Sequence, residues 1–237
     1  MRNLEIVYED ELLLVINKPA GLAVQGGKDV KVSLDKLLAE IRTPAPLLVH
    51  RLDKDTSGLL LVAKTKAAAA DLSRLFGEEI DKSAENIKKS PLKRTSIVRQ
   101  YTAICLGCPE KKEGIISEDI TIRGNLKKSQ TKYKVIKKIQ DTGAKTIFSV
   151  LELTLGTGRM HQIRRHLAMT GNPVLGDDKY GDFKINKALR KTHGLKKLLL
   201  HSSRLVVDAD EDGIHLDLRA PLPEYFDAFL KTINFLQ

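Results

Sequence analysis

Short apolar segments are the feature that most limits what this chain can fold into. Its longest clearly apolar stretches, residues 12–16 and 59–63, are only five residues long. A helix that crosses a bilayer needs about 20 apolar residues, whereas runs of roughly four to eight are typical of buried strands. The pattern therefore predicts a globular chain without a membrane-spanning segment.

Length and composition narrow the class of protein further. The 237 residues fit one large domain or two small ones and allow a sizeable core. Apolar residues make up 42% of the chain and charged residues 30%, which excludes a disordered protein. The first ten residues lack the basic and apolar regions of a secretory signal, and their acids argue against a transit peptide. We therefore expect a cytoplasmic protein.

Strand and helix patterns alternate along the chain. Apolar runs predict four strands, at residues 12–16, 59–63, 100–106 and 147–155. Helical spacing predicts three helices, at residues 33–41, 67–76 and 160–169. Residues 77–98 are polar and without pattern, which indicates a long connection. Because strands outnumber helices and arrive in runs, we expect an α+β fold with a largely antiparallel sheet.

Charge indicates the kind of partner. The 40 Lys and Arg residues exceed the 30 Asp and Glu residues by ten, and this excess predicts a polyanionic partner, with nucleic acid as the leading candidate. Residues 123–138 hold seven basic residues and no acid, in an alternation that suits a strand with one cationic face. Residues 183–197 hold six basic residues and no acid, whereas residues 207–237 hold seven acids and two bases. We expect the acidic end to face away from the partner.

The only two cysteines, Cys105 and Cys108, form a single C-x-x-C pair. A structural zinc site usually needs a second pair of ligands, which the sequence does not contain. A redox pair is expected to open a helix, but Pro109 follows Cys108 directly. We therefore expect two thiols that flank the end of a strand.

A first polar cluster, residues 50–58, reads His-Arg-Leu-Asp-Lys-Asp-Thr-Ser-Gly and precedes an apolar strand. It is too polar for a core, and loops held by rigid strands often carry catalytic groups. Asp53 has cations on both sides in sequence, which favours an ionised carboxylate that could act as a nucleophile. The alternative is a structural loop in which Asp55, Thr56 or Ser57 caps a local turn.

A second polar cluster, residues 156–166, follows a predicted strand and opens a predicted helix with Arg, His and Gln in its first turns. Exposed amides at such a helix start favour phosphate or carboxylate. The dinucleotide pattern G-x-G-x-x-G fails because His161 occupies the third glycine position. The histidines of both clusters lack the H-E-x-x-H spacing, so we predict no metal site.

Together the two clusters resemble the RluA family of RNA pseudouridine synthases, which carry an H-R-L-D-x-x-T-S-G motif and a later T-G-R-x-H-Q-I-R motif. The family's pattern continues in order over nearly the whole chain, at residues 17–24, 100–103, 172–177, 180–181 and 200–201. Residues 17–27 and 127–131 look most similar to the subgroup that acts on large-subunit ribosomal RNA. Two departures are the long connection and the absence of the S4 RNA-binding domain that often lies upstream.

The resemblance implies a pseudouridine synthase fold, with a mostly antiparallel mixed sheet flanked by helices and loops, as one catalytic domain over residues 1–237. It implies an isomerase without metal or cofactor, working as a monomer. The implied substrate is ribosomal RNA, with transfer RNA as the alternative. A non-catalytic RNA-binding module is the alternative of another class, but a pure binder has no need for the Asp53 carboxylate, which repels phosphate.

The resemblance also implies roles for single residues. Asp53 would attack either the uracil ring or the ribose, so that the base detaches, rotates and rejoins through carbon. Arg164 would pair with Asp53, and Tyr101 would pack on the uracil and assist proton removal. Arg51 would fill the space left by the flipped-out uridine. Further substrate contacts are expected from His50, Thr56, Lys127, Lys128, Arg159, His161 and Gln162.

Overall fold

The computed structural model describes residues 4–27, 30–76, 95–141, 146–209 and 214–234. Contacts divide the chain into two compact units. The first unit consists of Met1–Arg99 and Ser202–Ala220, and the second of Gln100–His201 and Pro221–Gln237.

The described residues form twelve strands and five helices. In chain order these are β1 (Glu5–Glu9), β2 (Leu13–Lys18), α1 (Leu34–Ile41), β3 (Leu47–Leu48), β4 (Ser57–Ala63), α2 (Lys66–Leu75), β5 (Thr95–Leu106), β6 (Glu113–Ile116), β7 (Ile120–Ile122), β8 (Asn125–Lys127), β9 (Thr131–Asp141), β10 (Thr146–Leu155), α3 (Gln162–Met169), α4 (Phe183–Thr192), β11 (Leu200–Ala209), β12 (Ile214–Arg219) and α5 (Glu224–Asn234).

In the first unit the strands follow the order β1, β2, β4 and β11, with β3 beside β4 and β12 beside β11. All seven residues of β4 are buried, as expected for an apolar strand that is covered on both faces. Leu13 and Leu61 pack with Leu72 of α2 in one apolar cluster. Gly58 has a φ of +106°, and a Cβ there would lie 2.2 Å from the carbonyl oxygen of Ser202. Only glycine therefore fits at the start of this strand.

In the second unit the strands follow the order β5, β10, β9 and β6, and each of these neighbouring pairs is antiparallel. One end of this sheet packs on helices α4 and α5 through an apolar cluster that includes Ile104, Phe148, Leu189, Phe226 and Phe229. Strands β7 and β8 form a separate two-stranded sheet.

The basic block at residues 123–138 is not one strand, contrary to the simplest interpretation of its alternation. Arg123 and Gly124 form a turn with positive φ angles, and β8 and β9 then follow as separate strands. Within β9 the register skips Ile136, because Val135 pairs with Leu151 and Lys137 pairs with Val150. This bulge keeps Lys137 on the same face as two other exposed lysines, Lys132 and Lys134.

The elements predicted from the sequence are confirmed with small shifts at their ends. The predicted helices are α1, α2 and α3, and the predicted strands are β2, β4, β5 and β10. Strand β5 begins at Thr95 rather than at residue 100, and residues 77–94 of the predicted connection lie outside the described residues. The α+β class with a mostly antiparallel sheet is confirmed. No helix in the described ranges is long and apolar enough to cross a membrane.

Candidate active site

The first polar cluster forms a loop in the first unit, immediately before β4. The backbone N–H of Thr56 donates to the carbonyl oxygen of Asp53 over 3.2 Å, which closes a tight turn. Leu52 is buried and Arg51 is exposed, while Asp53 is half-buried. The loop is therefore anchored by an apolar side chain and a buried strand, and it presents the Arg51 guanidinium to solvent.

Lys18 binds the backbone of this loop, although the sequence did not mark it as a candidate site residue. Its side chain is fully buried, and its Nζ donates to the carbonyl oxygens of Pro19, Leu22 and Lys54 over 2.9 to 3.0 Å. Burial lowers the pKa of Lys18 to about 8, against the opposing charges of Asp55 and Asp53. The lysine thus ties residues 19–22 to the loop that carries Asp53, called the aspartate loop below. The available sequence signal was a lysine followed by proline at the end of a buried strand.

His50 is buried in the first unit, with its ring stacked on Phe76 at 4.2 Å between centroids. Its Nε2 accepts the backbone N–H of Leu61 over 2.9 Å. Burial, together with the charge of Arg99, lowers the pKa of His50 to about 3, so the ring is neutral. This placement favours support of the loop over the predicted contact with substrate. Thr56 is likewise buried.

The second polar cluster forms a loop and a helix start in the second unit, organised by Gln162. Its Oε1 accepts from the Thr157 hydroxyl over 2.6 Å and from the Arg159 N–H over 3.0 Å. Its Nε2 donates to the carbonyl oxygen of Gln130 over 2.8 Å and to Thr131 Oγ1 over 3.0 Å. All four bonds of the Gln162 amide stabilise the loop, a structural role that the sequence did not predict.

Arg164 lies on α3 and is buried, with a fixed orientation. Its Nε and Nη2 donate to the two carboxylate oxygens of Asp177 over 2.7 Å each, and Nη2 also lies 3.3 Å from Asp178. Asp177 also accepts the backbone N–H groups of Lys179 and Tyr180. Burial raises the pKa of Asp177, but the Arg164 bonds and the backbone donors lower it further, and the net pKa lies below its ordinary value. Asp177 therefore holds Arg164 in place, which the sequence did not predict.

The remaining predicted site residues of the second unit are spread over several elements. His161 precedes α3 with a φ of +54°, and its Nδ1 lies 3.1 Å from the Tyr180 hydroxyl. Tyr101 is buried on β5 opposite Leu153. Lys127 and Lys128 are exposed and Arg159 is half-buried, and Arg159 Nε donates to the Lys128 carbonyl oxygen over 3.3 Å.

The two cysteines flank the end of β5, as predicted. Both are free thiols; Cys105 is fully buried and Cys108 is half-buried. Burial, with the nearby Cys108, raises the pKa of the Cys105 thiol well above its ordinary value, so it stays protonated. Within the part of the chain that the structure describes, no group of three or more His, Cys, Asp and Glu side chains is arranged to hold a metal ion.

Comparisons with known proteins match the part of the chain that holds the two polar clusters, residues 50–58 and 156–166, called the motif loops below. A family model described as RNA pseudouridylate synthase matches residues 12–169, which include both loops. The chain belongs to this family. "Ribosomal large subunit pseudouridine synthase C" of Rickettsia typhi is 34% identical over 235 residues, covering 93% of this chain and 69% of that protein.

Other members of the pseudouridylate synthase family show the same likeness. "RNA pseudouridine synthase 4, mitochondrial" of Arabidopsis thaliana is 38% identical over 195 residues, covering 74% of this chain and 40% of that protein. The solved structure "Human RNA Pseudouridylate Synthase Domain Containing 4" has a TM-score of 0.74 at 25% identity, covering 97% of this chain and 93% of that one.

These matches confirm the family, the pseudouridine synthase fold and the class of enzyme, an isomerase acting on RNA. Asp53 belongs to the first unit, whereas Tyr101 and Arg164 belong to the second. The predicted Asp53–Arg164 pair and the roles of the individual residues stay predictions. So does the expectation of one catalytic domain over residues 1–237.

Proposed function

We propose that this RNA pseudouridine synthase isomerises uridines of large-subunit ribosomal RNA, with Asp53 as its catalytic carboxylate. The observation that carries the proposal is the H-R-L-D loop, which presents Arg51 beside a half-buried Asp53 and is anchored by Lys18. The ribosomal substrate is supported by relatives named ribosomal large subunit pseudouridine synthase C, which match 93% to 97% of this chain at 31% to 34% identity.

The reaction rearranges bonds without consuming a second reactant. The bond between uracil N1 and ribose C1′ breaks, the base rotates, and a bond from C5 to C1′ forms. The proton on C5 leaves and N1 gains one, so the atoms balance within the nucleotide. The Asp53 carboxylate supplies the nucleophile, at either the ring or the ribose carbon. Because the base must leave its stack first, the exposed Arg51 guanidinium fills the vacated space.

Arg164 and Tyr101 complete the proposed catalytic set. The two hydrogen bonds to Asp177 fix the orientation of the Arg164 guanidinium, which supports its proposed role as the cation that keeps the catalytic carboxylate ionised. Tyr101 is buried on β5, which pairs with β10, and this placement suits a ring that packs against uracil. Lys127, Lys128 and Arg159 bind RNA phosphates, and His161 adds a further contact with the substrate. His50, Thr56 and Gln162 act by holding the two loops.

The proposal is tested by incubating the purified protein with protein-free large-subunit RNA and, separately, with bulk transfer RNA. Pseudouridine is then located at nucleotide resolution in each. We expect modification of the ribosomal RNA and none by the Asp53→Asn variant. Modification of transfer RNA alone would contradict the substrate but not the catalytic role of Asp53. That the enzyme is monomeric and cytoplasmic stays a prediction. Gel filtration checks the first property and cell fractionation the second.

A further inference from the structure

A pocket beside helix α4, in the second unit, belongs to neither motif loop. It encloses about 350 Å³ and is lined by Phe183, Lys187 and Arg190 of α4, with Lys196, Asp177 and Asp178. This volume lies near the lower end of the roughly 300–1,000 Å³ that small-molecule sites span. The pocket is therefore large enough for one nucleotide and too small for a folded element.

The α4 side of the pocket combines an aromatic ring with cations. Phe183, Lys187 and Arg190 are spaced i, i+4 and i+7, so they lie on one stripe of the helix. Phe183 is 61% exposed, an unusual degree for a phenylalanine. Lys187, Arg190 and Lys196 make no ion pair with any of the described residues. An exposed ring beside unpaired cations is the arrangement with which proteins bind single-stranded nucleic acid.

The floor of the pocket is rigid. Asn186 Oδ1 accepts the Gly176 N–H and its Nδ2 donates to the Asp177 carbonyl oxygen, each over 3.0 Å. Gly176 has a φ of +77°, and a Cβ there would lie 2.1 Å from the Lys197 carbonyl oxygen. The first turn of α4 is capped by Asp182, which accepts the Ile185 N–H over 2.9 Å. A ligand would therefore meet a preformed site, which lowers the entropic cost of binding.

We propose that this pocket binds one nucleotide of the RNA outside the uridine that is modified. The base stacks on Phe183, and the flanking phosphates bind Lys187, Arg190 and Lys196. The Asp178 side chain, 82% exposed, accepts hydrogen bonds from a base amino group or a ribose hydroxyl. That carboxylate repels a bare phosphate ion, and this selects a nucleotide over inorganic phosphate. The inference rests on the proposed function, because it takes RNA as the substrate.

The binding experiment uses the full chain with Asp53→Asn, so that no turnover occurs. Fluorescence anisotropy measures the Kd for a nine-nucleotide single-stranded RNA without uridine, over a series of KCl concentrations. Lys187→Ala with Arg190→Ala is expected to raise the Kd about tenfold and to lower the salt slope by up to about two. Phe183→Leu is expected to raise it about fivefold, whereas Phe183→Tyr keeps it near the starting value.

The matched control is Lys184→Ala with Lys191→Ala, which removes the same charge from the same helix outside the pocket. Its effect on the Kd is expected to be at most about twofold. If the two double variants raise the Kd equally, or if Phe183→Leu leaves it unchanged, the nucleotide pocket is wrong and RNA binds a general electrostatic surface. Displacement of the RNA by inorganic phosphate or polyglutamate at matched charge would overturn it as well. Circular dichroism checks that the variants fold.

Turnover separates this inference from the proposed function. With Asp53 restored, the pocket variants are expected to raise the KM for large-subunit RNA and leave kcat unchanged. Normal KM values in these variants of an active enzyme contradict the pocket alone. If the unmodified protein forms no pseudouridine but the pocket variants still lose RNA binding, the proposed function fails and the pocket stands.

Discussion

At the scale of single residues, the burial of the charged group distinguishes Asp53, which is proposed to do the chemistry, from the residues that hold its loop and Arg164 in place. Asp53 is half-buried in a loop, whereas Lys18 and Asp177 are buried and use their charged groups on protein atoms. A buried charge without partners is costly, so the three carbonyl oxygens around Lys18 and the four donors around Asp177 make these placements tolerable. Such residues are positioning residues for the loop and for Arg164.

Asp53→Asn is expected to abolish pseudouridine formation and to change the Kd for RNA by no more than about twofold. The amide fills nearly the same volume but cannot act as a nucleophile. Product is measured in large-subunit RNA and binding by anisotropy. Asp55→Asn, in the same loop, is the control and is expected to keep most of the activity. Turnover of the Asp53 variant above background would falsify the nucleophile role.

Asp177→Asn is expected to lower kcat about 10- to 100-fold while the KM for RNA stays within about twofold. The amide loses the charge that pairs with Arg164, and breaking a buried pair also destabilises the fold by about 3–5 kcal/mol. Single-turnover kinetics and denaturant unfolding provide the two readouts.

The control for this variant is Asp217→Asn, because Arg204 binds Asp217 with the same bidentate geometry at the surface, over 2.6 and 2.7 Å. An exposed pair contributes little, so we expect neither kcat nor stability to change much. If kcat of the Asp177 variant is normal, the positioning role of Asp177 is wrong.

At the scale of elements, the sequence predicted what local patterning decides. Strand β4 and helix α1 were predictable because an apolar run and helical spacing are local signals. Helix α4 was not, since its four basic residues mask the single buried Leu189. The bulge at Ile136 depends on the register with β10, which no local signal reports. The motif loops were predictable as functional, but the hold of Asp177 on Arg164 was not, because it joins separate segments.

The basic block at residues 123–138 is expected to bind RNA through the end of β8. Lys127→Ala with Lys128→Ala removes two exposed charges, so it weakens binding and lowers the slope of log Kd against log salt by up to about two. The slope is measured by anisotropy over a range of KCl concentrations.

The control removes two exposed charges from the acidic part of the chain, with Arg219→Ala and Lys231→Ala. Here the slope is expected to stay unchanged, because acidic neighbours keep phosphate away. If the Lys127 and Lys128 variant shows the same salt slope as the unmodified protein, this segment is not part of the RNA interface.

At the scale of the whole molecule, the pKa of His50 makes stability depend on pH. Its folded-state pKa is about 3, and its ordinary value is 6.5. As the pH falls below 6.5, the unfolded chain takes up a proton while the folded protein keeps His50 neutral. Stability is therefore lost through the window from pH 6.5 towards pH 3. Between pH 7 and pH 5 this linkage lowers the free energy of unfolding by about 2 kcal/mol.

Denaturant unfolding at pH 7 and pH 5 measures this loss, and His50→Gln isolates the contribution of one residue. Glutamine can accept the Leu61 N–H but has no proton to take up in this range, so the variant is less stable at pH 7 yet loses about 2 kcal/mol less between the two pH values. His166, whose pKa is also lowered by burial, is present in both proteins and cancels in the difference. Parallel pH profiles of the two proteins would show that the His50 ring is accessible to protons in the fold, and that the core beneath the aspartate loop is open to water.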